Sequence, residues 1–185
     1  MILALIILVI LIIIPIALYN SLVAKKNQVN NAFASTDTLL KKRYDLIPNL
    51  VAAVKNYMKH EQKTLTDITE MRSKAVSAQL SPDEKVALNN QLSKAIGGIM
   101  VAVENYPDLK ANQNFLQLQA SMNEIEEQIS AARRAYNAAV TDYNNAVEMF
   151  PTNIMASMMH YKQRQLFEIT ETERKNVDVG ALFNQ

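Results

Sequence analysis

The sequence predicts an all-α protein in which an N-terminal transmembrane helix is followed by an up-down antiparallel helical bundle with long helices. Residues 1–18 are all apolar, and beyond them apolar residues recur every three or four positions, the spacing of an amphipathic helix. The 185 residues include only 3 glycines, so turn signals are few. Runs of β-branched and aromatic residues between turns, which indicate strands, do not occur after residue 18.

Residues 1–19 are expected to contact membrane lipid. The run MILALIILVILIIIPIAL extends roughly 27 Å as a helix, close to the hydrocarbon thickness of a bilayer, which is about 30 Å. Pro15 lies near the far end of this run, where Tyr19 and Asn20 already indicate the headgroup region. The hydrogen bond that proline removes is tolerated there, so we assign residues 1–19 as the anchor of a single-pass cell-membrane protein.

A cleaved signal peptide is the alternative interpretation of the same run. A signal peptide has a positively charged start, an apolar core of about 7–15 residues and a small-residue cleavage site, and this run fits none of the three. The pattern therefore favours a retained anchor. Lys25 and Lys26 follow the span, and the positive-inside rule then places the bundle in the cytoplasm.

Residues 20–151 are predicted to form the bundle, with a joint inside the stretch KKRYDLIPNLVAAVKNYMKHE at 41–61. A proline in a helix interior removes a hydrogen bond and clashes with the preceding turn, at a cost of about 3 kcal/mol. If helix two instead begins with Asp45 as its N-cap, Pro48 falls in the first turn, where no amide partner is lost. The apolar spacing continues through Pro48 without a slip, however, so a kinked continuous helix is the alternative.

The third and fourth helices have clearer boundaries. Ser81 is predicted as an N-cap with Pro82 at the first helical position and Glu84 completing a capping box. A break at Tyr106-Pro107 separates this helix from a long one over about 109–148, which Phe150-Pro151 ends. The long helix carries apolar residues at a strict seven-residue, coiled-coil repeat. Residues 152–185 form a polar tail with a short helix expected near 154–159.

The residue patterns that carry catalysis or bind cofactors are missing, so we expect no catalytic, cofactor-binding or metal-binding residues and no enzyme activity. His60-Glu61 resembles part of a zinc-binding pattern, but that pattern needs a second histidine where Thr64 stands. The other histidine, His160, lies in the tail. A net charge of +1 without a basic face also argues against nucleic acid as a partner.

A set of polar residues accompanies the apolar stripes and has two main interpretations. They could form a solvated face, or a hydrogen-bonded network that sets the helix register, in which removing one partner strands another at about 1–3 kcal/mol. We favour the network over a ligand-binding site. These residues are Arg43, Glu61, Arg72, Glu104, Lys110, Glu126, Arg133, Asn137 and Asn144.

Several stretches between residues 19 and 151 stand in the order and at the spacing of one known family. The main ones are Tyr19-Asn20-Ser21-Leu22-Val23, Leu40-Lys41-Lys42-Arg43-Tyr44-Asp45-Leu46-Ile47-Pro48-Asn49-Leu50-Val51, Tyr106-Pro107, Leu109-Lys110-Ala111, Asn114-Phe115, Tyr136-Asn137, Tyr143-Asn144 and Phe150-Pro151. On these residues the chain resembles the LemA family of bacterial membrane-anchored proteins. The resemblance implies one membrane helix, a helical bundle, and no enzymatic activity, cofactor or ligand. By the same resemblance, relatives are similar to proteins of magnetosome membranes, and family members are often associated with a membrane zinc metalloprotease, which makes such a protease a candidate partner by analogy.

The predicted function is that of a non-enzymatic, membrane-anchored scaffold or adaptor that acts by protein association and self-assembly. The alternative is a structural assembly that shapes the membrane through ordered homo-oligomerisation. Self-association is expected because the apolar repeat of the fourth helix continues past the length that the third helix can cover. The expected contacts therefore include the Tyr136–Phe150 end of the fourth helix.

Overall fold

The computed structural model describes residues 1–77 and 79–168, and within this part of the chain every regular element is helical. The elements are α1 (Ile2–Val54), α2 (Gln62–Ser77), α3 (Pro82–Ala102), a 3-10 helix (Val103–Asn105), α4 (Pro107–Lys110), α5 (Gln113–Glu148) and α6 (Thr152–Met158). The predicted all-α fold is confirmed.

Helix α1 joins the apolar N-terminal run directly to the bundle. Its 53 residues correspond to a length of about 80 Å at 1.5 Å per residue. The most apolar window is long and apolar enough to cross a membrane, and none of it is buried within the protein. From Leu22 onwards one face of the same helix enters the core, where Leu40, Ile47 and Leu50 are fully buried.

The predicted joint at Asp45 is wrong, because α1 continues through Pro48 to Val54. Pro48 has no amide hydrogen to donate to the carbonyl of Tyr44. That carbonyl instead accepts a hydrogen bond of 2.9 Å from Nε of Arg72, a residue of α2. The chain reverses over residues 55–61, so α2 runs antiparallel to α1 and reaches the level of Tyr44 at Arg72.

Helices α1 and α5 form the central antiparallel pair of the bundle. The rings of Phe33 and Tyr136 lie 5.9 Å apart between centroids, and Arg43 Nη1 lies 3.0 Å from Glu126 Oε2. The residue numbers rise along α1 as they fall along α5, which sets the opposite directions of the two helices. Apolar side chains of both helices enter the core together with those of α2 and α3.

Helix α3 runs in the same direction as α1. Lys85 Nζ lies 2.8 Å from Asp37 Oδ2, and further along both helices Arg43 Nη1 donates to Ser93 Oγ over 2.9 Å. Since α2 lies antiparallel to α1 and α5 does the same, the four helices alternate in direction. This is the up-down bundle that the sequence predicts.

Side chains cap the N-termini of α3 and α5. The Ser81 hydroxyl accepts from the Glu84 amide, and Glu84 accepts in return from the Ser81 amide, so the predicted capping box is present. The hydrogen bond from the Ser81 hydroxyl keeps the pKa of Glu84 below its ordinary value. At α5, Asn112 Oδ1 accepts from the amide of Asn114 over 2.9 Å and satisfies one of the free donors at the helix start.

The remaining boundaries agree with the sequence to within a few residues. The predicted fourth helix begins as a separate short turn, α4, and continues as α5. Helix α5 ends at Glu148, just before Phe150-Pro151. The short helix expected in the tail is present as α6 (Thr152–Met158). Tail residues 169–185 lie outside the described part of the chain.

Candidate functional site

Two arginines from facing helices are buried next to each other in the middle of the bundle. Arg43 of α1 and Arg133 of α5 have side chains that are 2% and 5% exposed. Both contact the carboxylate of Glu126, at 3.0 Å from Arg43 Nη1 and 3.4 Å from Arg133 Nη1. Because the Glu126 side chain is 40% exposed, this carboxylate links the buried positive charges to the surface.

Helix α3 completes this cluster with two uncharged acceptors. The Ser93 hydroxyl accepts from Arg43 Nη1 over 2.9 Å and from Arg133 Nη2 over 2.8 Å. The Asn89 side-chain oxygen accepts a short hydrogen bond from Arg43 Nη2. One cluster therefore connects α1, α3 and α5 at a single level of the bundle. We call these five residues the arginine cluster.

The Ser93 hydroxyl of the arginine cluster lies between the two guanidinium groups. A serine nucleophile needs a neighbouring base to take its proton. The groups that contact the Ser93 hydroxyl are guanidinium groups, which stay protonated in proteins. The cluster ties α1, α3 and α5 together at one level, as buried charged networks that select a helix register do in some proteins.

The other predicted polar residues lie outside the arginine cluster. Arg72 binds the Tyr44 carbonyl, and Glu104 pairs with Lys110 at the surface. Glu61 accepts a 3.0 Å hydrogen bond from the Tyr106 hydroxyl, which ties the 55–61 reversal to the start of α4.

The last two predicted residues, Asn137 and Asn144, form hydrogen bonds with the backbone of residues 162–168, here called the return segment. Asn144 Nδ2 donates to the Arg164 carbonyl over 3.0 Å, and Asn144 Oδ1 accepts from the Arg164 amide over 2.9 Å. Asn137 makes the same pair of bonds with Phe167, at 3.0 and 2.9 Å. Each asparagine thus satisfies both polar groups of one backbone residue.

Helix α3 holds the other side of the return segment. Asp83 Oδ1 accepts from the Gln165 amide, and Asn90 Oδ1 accepts from the Glu168 amide, both over 3.3 Å. Asp83 and Asn90 are seven residues apart, as are the two asparagines of α5. The return segment therefore lies in the groove between α3 and α5 and runs parallel to α3.

The repeat lengths of helix and return segment match. Seven helical residues advance about 10.5 Å, while the contacted backbone residues, such as Arg164 and Phe167, are three apart. This corresponds to about 3.5 Å per residue, an extended backbone. Three residues of extended chain therefore span one seven-residue repeat of the helix, so side chains seven apart on α5 can contact every third backbone residue of the segment.

Phe167 anchors the return segment through its side chain. It is 2% exposed, meets the ring of Tyr136 edge-on at 5.1 Å, and lies 5.6 Å from the guanidinium carbon of Arg133. The Tyr136 hydroxyl donates to the Gln165 carbonyl over 3.2 Å. Burial raises the pKa of Tyr136 to about 12, and the nearby Asp83 carboxylate adds to the rise.

Sequence reasoning missed Asn89, Ser93 and the return segment. Asn89 stands three residues before Leu92 and seven before Ile96. Its position on the apolar stripe of α3 could have indicated that it is a buried polar residue that needs a hydrogen-bond partner. The return segment had no comparable signal, because its contacts are made by its backbone and depend on helices far away in the sequence.

The histidines are not brought together. His60 is exposed in the 55–61 reversal, and His160 follows α6 with a φ of 53°. Within residues 1–77 and 79–168, no group of three or more His, Cys, Asp or Glu side chains is placed to hold a metal ion.

Comparison with known proteins identifies the family. The model of the LemA family matches residues 32–180. The chain belongs to the LemA family. The matched region includes the arginine cluster and the return segment, and it confirms the resemblance drawn from the residues alone.

Two kinds of relative are similar to this LemA-family chain. Protein LemA of Metamycoplasma hominis is 30% identical over 165 residues, which cover 89% of this chain and 75% of that protein. Magnetosome protein MamQ 2 of Paramagnetospirillum magneticum is 22% identical over 175 residues, or 81% of this chain. Magnetosome protein MamQ of Magnetospirillum gryphiswaldense is 21% identical over 174 residues. The chain spans 64% of the length of each magnetosome protein.

Proposed function

We propose that this LemA-family protein is a non-enzymatic scaffold, anchored in the membrane by residues 1–19, that acts by protein association and self-assembly. The observation that carries the proposal is the continuity of α1. The same helix that exposes Leu3, Leu5 and Leu11 at 71%, 65% and 65% buries Leu22 and Leu40 completely in the bundle. A membrane span and a bundle core that share one helix hold the bundle in a set position relative to the lipid.

Charged substitutions in the apolar run test the anchoring. Arginine at the centre of a transmembrane helix costs about 2.5–3.5 kcal/mol on insertion scales. We expect Ile7→Arg with Ile10→Arg to shift the protein from the carbonate-resistant membrane fraction to the soluble fraction. Val101→Arg, at a bundle residue that is 73% exposed, is the matched control and should stay with the membrane. A double variant that pellets like the wild type contradicts the anchor.

A cytoplasmic bundle is part of the proposal and is supported by Lys25 and Lys26. The chain has no cysteine, so Lys59→Cys, at an exposed position of the 55–61 reversal, introduces a unique thiol. A membrane-impermeant thiol reagent should label this thiol in lysed cells and leave it unlabelled in intact cells. Labelling in intact cells would place the bundle on the other side.

Self-association rests on the confinement of all copies to one plane and one orientation, which raises their effective concentration. The structure changes the argument made from the fourth helix, since Tyr136 and Tyr143 are 0% and 3% exposed within one chain. The return segment and α6 cover Tyr136 and Tyr143, whereas Phe150, at the other end of the expected contact region, is 78% exposed. Contacts between copies, or with other membrane proteins such as a metalloprotease, would use the outer faces of the bundle.

The alternative function is a membrane-shaping assembly built by ordered homo-oligomerisation. The likeness to magnetosome proteins motivates this alternative. Mass measurement of the detergent-extracted full chain separates the two. A small discrete oligomer supports an adaptor, a very large ring, cage or filament supports membrane shaping, and a monomer at membrane-like concentrations contradicts self-assembly.

A further inference from the structure

The base of the bundle lies close to the end of the apolar run. Leu22 is fully buried against Ala146 of α5 and Ala156 of α6. Leu22 stands four residues after Leu18, so it lies about 6 Å further along the helix axis. The headgroup layer adds about 5–7 Å to each side of the hydrocarbon. With residues 1–18 in the hydrocarbon, the end of α5 and the part of α6 around Ala156 are at headgroup level.

Large apolar side chains point outward from this level. Met149 and Phe150, just after α5, are 63% and 78% exposed, and Ile154 and Met158 of α6 are 57% and 70% exposed. Residues 154 and 158 share one face of α6, while Ala156 is buried on another. Exposed apolar groups that cluster in this way mark an interaction surface. We call these four residues the apolar collar.

Polar groups above the collar fit the same placement. Lys26 lies about 12 Å beyond Leu18 along α1, with its ammonium group 4.9 Å from the centre of the Tyr161 ring. Lysine and tyrosine side chains with apolar bodies and polar ends are favoured at membrane interfaces. Glu148, the acidic residue next to the collar, binds the side chain of Gln163.

We propose that the apolar collar inserts into the headgroup region of the same leaflet from which α1 emerges, so that the bundle contacts lipid at two places. This inference rests on the proposed membrane anchoring. Lipid is the favoured occupant because α1 already holds the collar at that depth without any association between copies. A second contact beside α1 prevents the bundle from tilting freely about the anchor.

Single tryptophans test the collar, since the chain contains none. Phe150→Trp and Met158→Trp are made in the full chain and reconstituted in phosphatidylcholine vesicles with brominated acyl chains, which quench nearby tryptophan. Leu8→Trp reports the anchor. Val101→Trp, eight residues beyond Ser93 towards the far end of α3, reports the distal end of the bundle.

We expect Phe150→Trp and Met158→Trp to lose emission as Leu8→Trp does, whereas Val101→Trp keeps its emission. Quenching at Leu8 with none at either collar position overturns the collar and leaves the anchor intact. Collar emission that is unquenched but depends on the protein-to-lipid ratio assigns the surface to a second copy and also overturns the inference. No quenching at Leu8 contradicts the anchor and the collar together.

Discussion

The Nε of Arg72 donates a 2.9 Å hydrogen bond to the backbone carbonyl of Tyr44, the carbonyl that Pro48 leaves without its usual helical partner. The two residues are 28 positions apart and belong to different helices. A proline inside a helix therefore costs less here than it would in isolation, because α2 supplies the missing donor. This contact also explains why α1 passes through Pro48 without a break.

The contact between Arg72 and Tyr44 predicts a coupling between Arg72 and Pro48. Arg72→Ala should lower the free energy of unfolding by about 1–3 kcal/mol, because it strands the Tyr44 carbonyl. In a Pro48→Ala background, residue 48 can donate to that carbonyl, so the same Arg72→Ala change should cost less. Urea unfolding of the four variants in detergent measures the difference. Additive effects of the two substitutions would contradict the compensation.

The arginine cluster predicts that Glu126 contributes more to stability than its exposure suggests. Glu126→Ala should destabilise the bundle by about 2 kcal/mol, less than the about 3–5 kcal/mol of a fully buried pair, because the carboxylate is partly solvated. The adjacent and exposed Glu127 provides the control, and Glu127→Ala should change stability by no more than about 0.5 kcal/mol. Equal effects at the two positions would show that the two arginines do not depend on Glu126.

The paired hydrogen bonds of the return segment predict site-specific protection from exchange. Asn137→Ala should abolish slow hydrogen exchange at the Phe167 amide, and Asn144→Ala should do so at the Arg164 amide, because each loses its acceptor. Asn137→Asp should give an intermediate result, since it keeps the acceptor and loses the donor to the Phe167 carbonyl.

The exposed Asn145 provides the control for these exchange measurements. Asn145→Ala should leave protection at Arg164 and Phe167 unchanged. Fast exchange at both amides in the wild-type protein would contradict the placement of the return segment in the groove.

The raised pKa of Tyr136 predicts a stability loss at high pH. The folded state keeps this phenol protonated up to about pH 12, whereas the unfolded chain ionises it near 10, so protein stability falls as the pH rises from 10 to 12. Tyr136→Phe should be less stable at pH 8, having lost the hydrogen bond to Gln165, at a cost of about 0.5–1.5 kcal/mol. The difference between variant and wild type should shrink above pH 10. Parallel stability curves between pH 10 and 12 would contradict a buried phenol.

Local patterns in the sequence determined the all-α class, the apolar run, the capping box at Ser81 and the end of α5. Each of these depends on residues within about one helical turn or on a regular spacing, and both can be read from the chain alone. The sequence also indicated that Arg43, Glu126 and Arg133 belong to a polar network, because polar residues beside an apolar stripe need hydrogen-bond partners when they are buried.

Only the tertiary structure decided the path through Pro48, the partners of the buried arginines and the position of the return segment. The hydrogen bond that Pro48 removes favoured a break in the helix when only the sequence was considered. Arg72 of α2 supplies another donor to the Tyr44 carbonyl, and α1 continues through Pro48. Asn89 and Ser93 are hydrogen-bond partners of Arg43 because α3 packs against α1 with these two residues at the level of Arg43. The groove of the return segment exists only when α3 and α5 lie side by side, since each helix contributes one row of side chains that bind its backbone. Contacts between distant residues have no signature in local propensity or spacing, and for this reason they could not be predicted from the sequence.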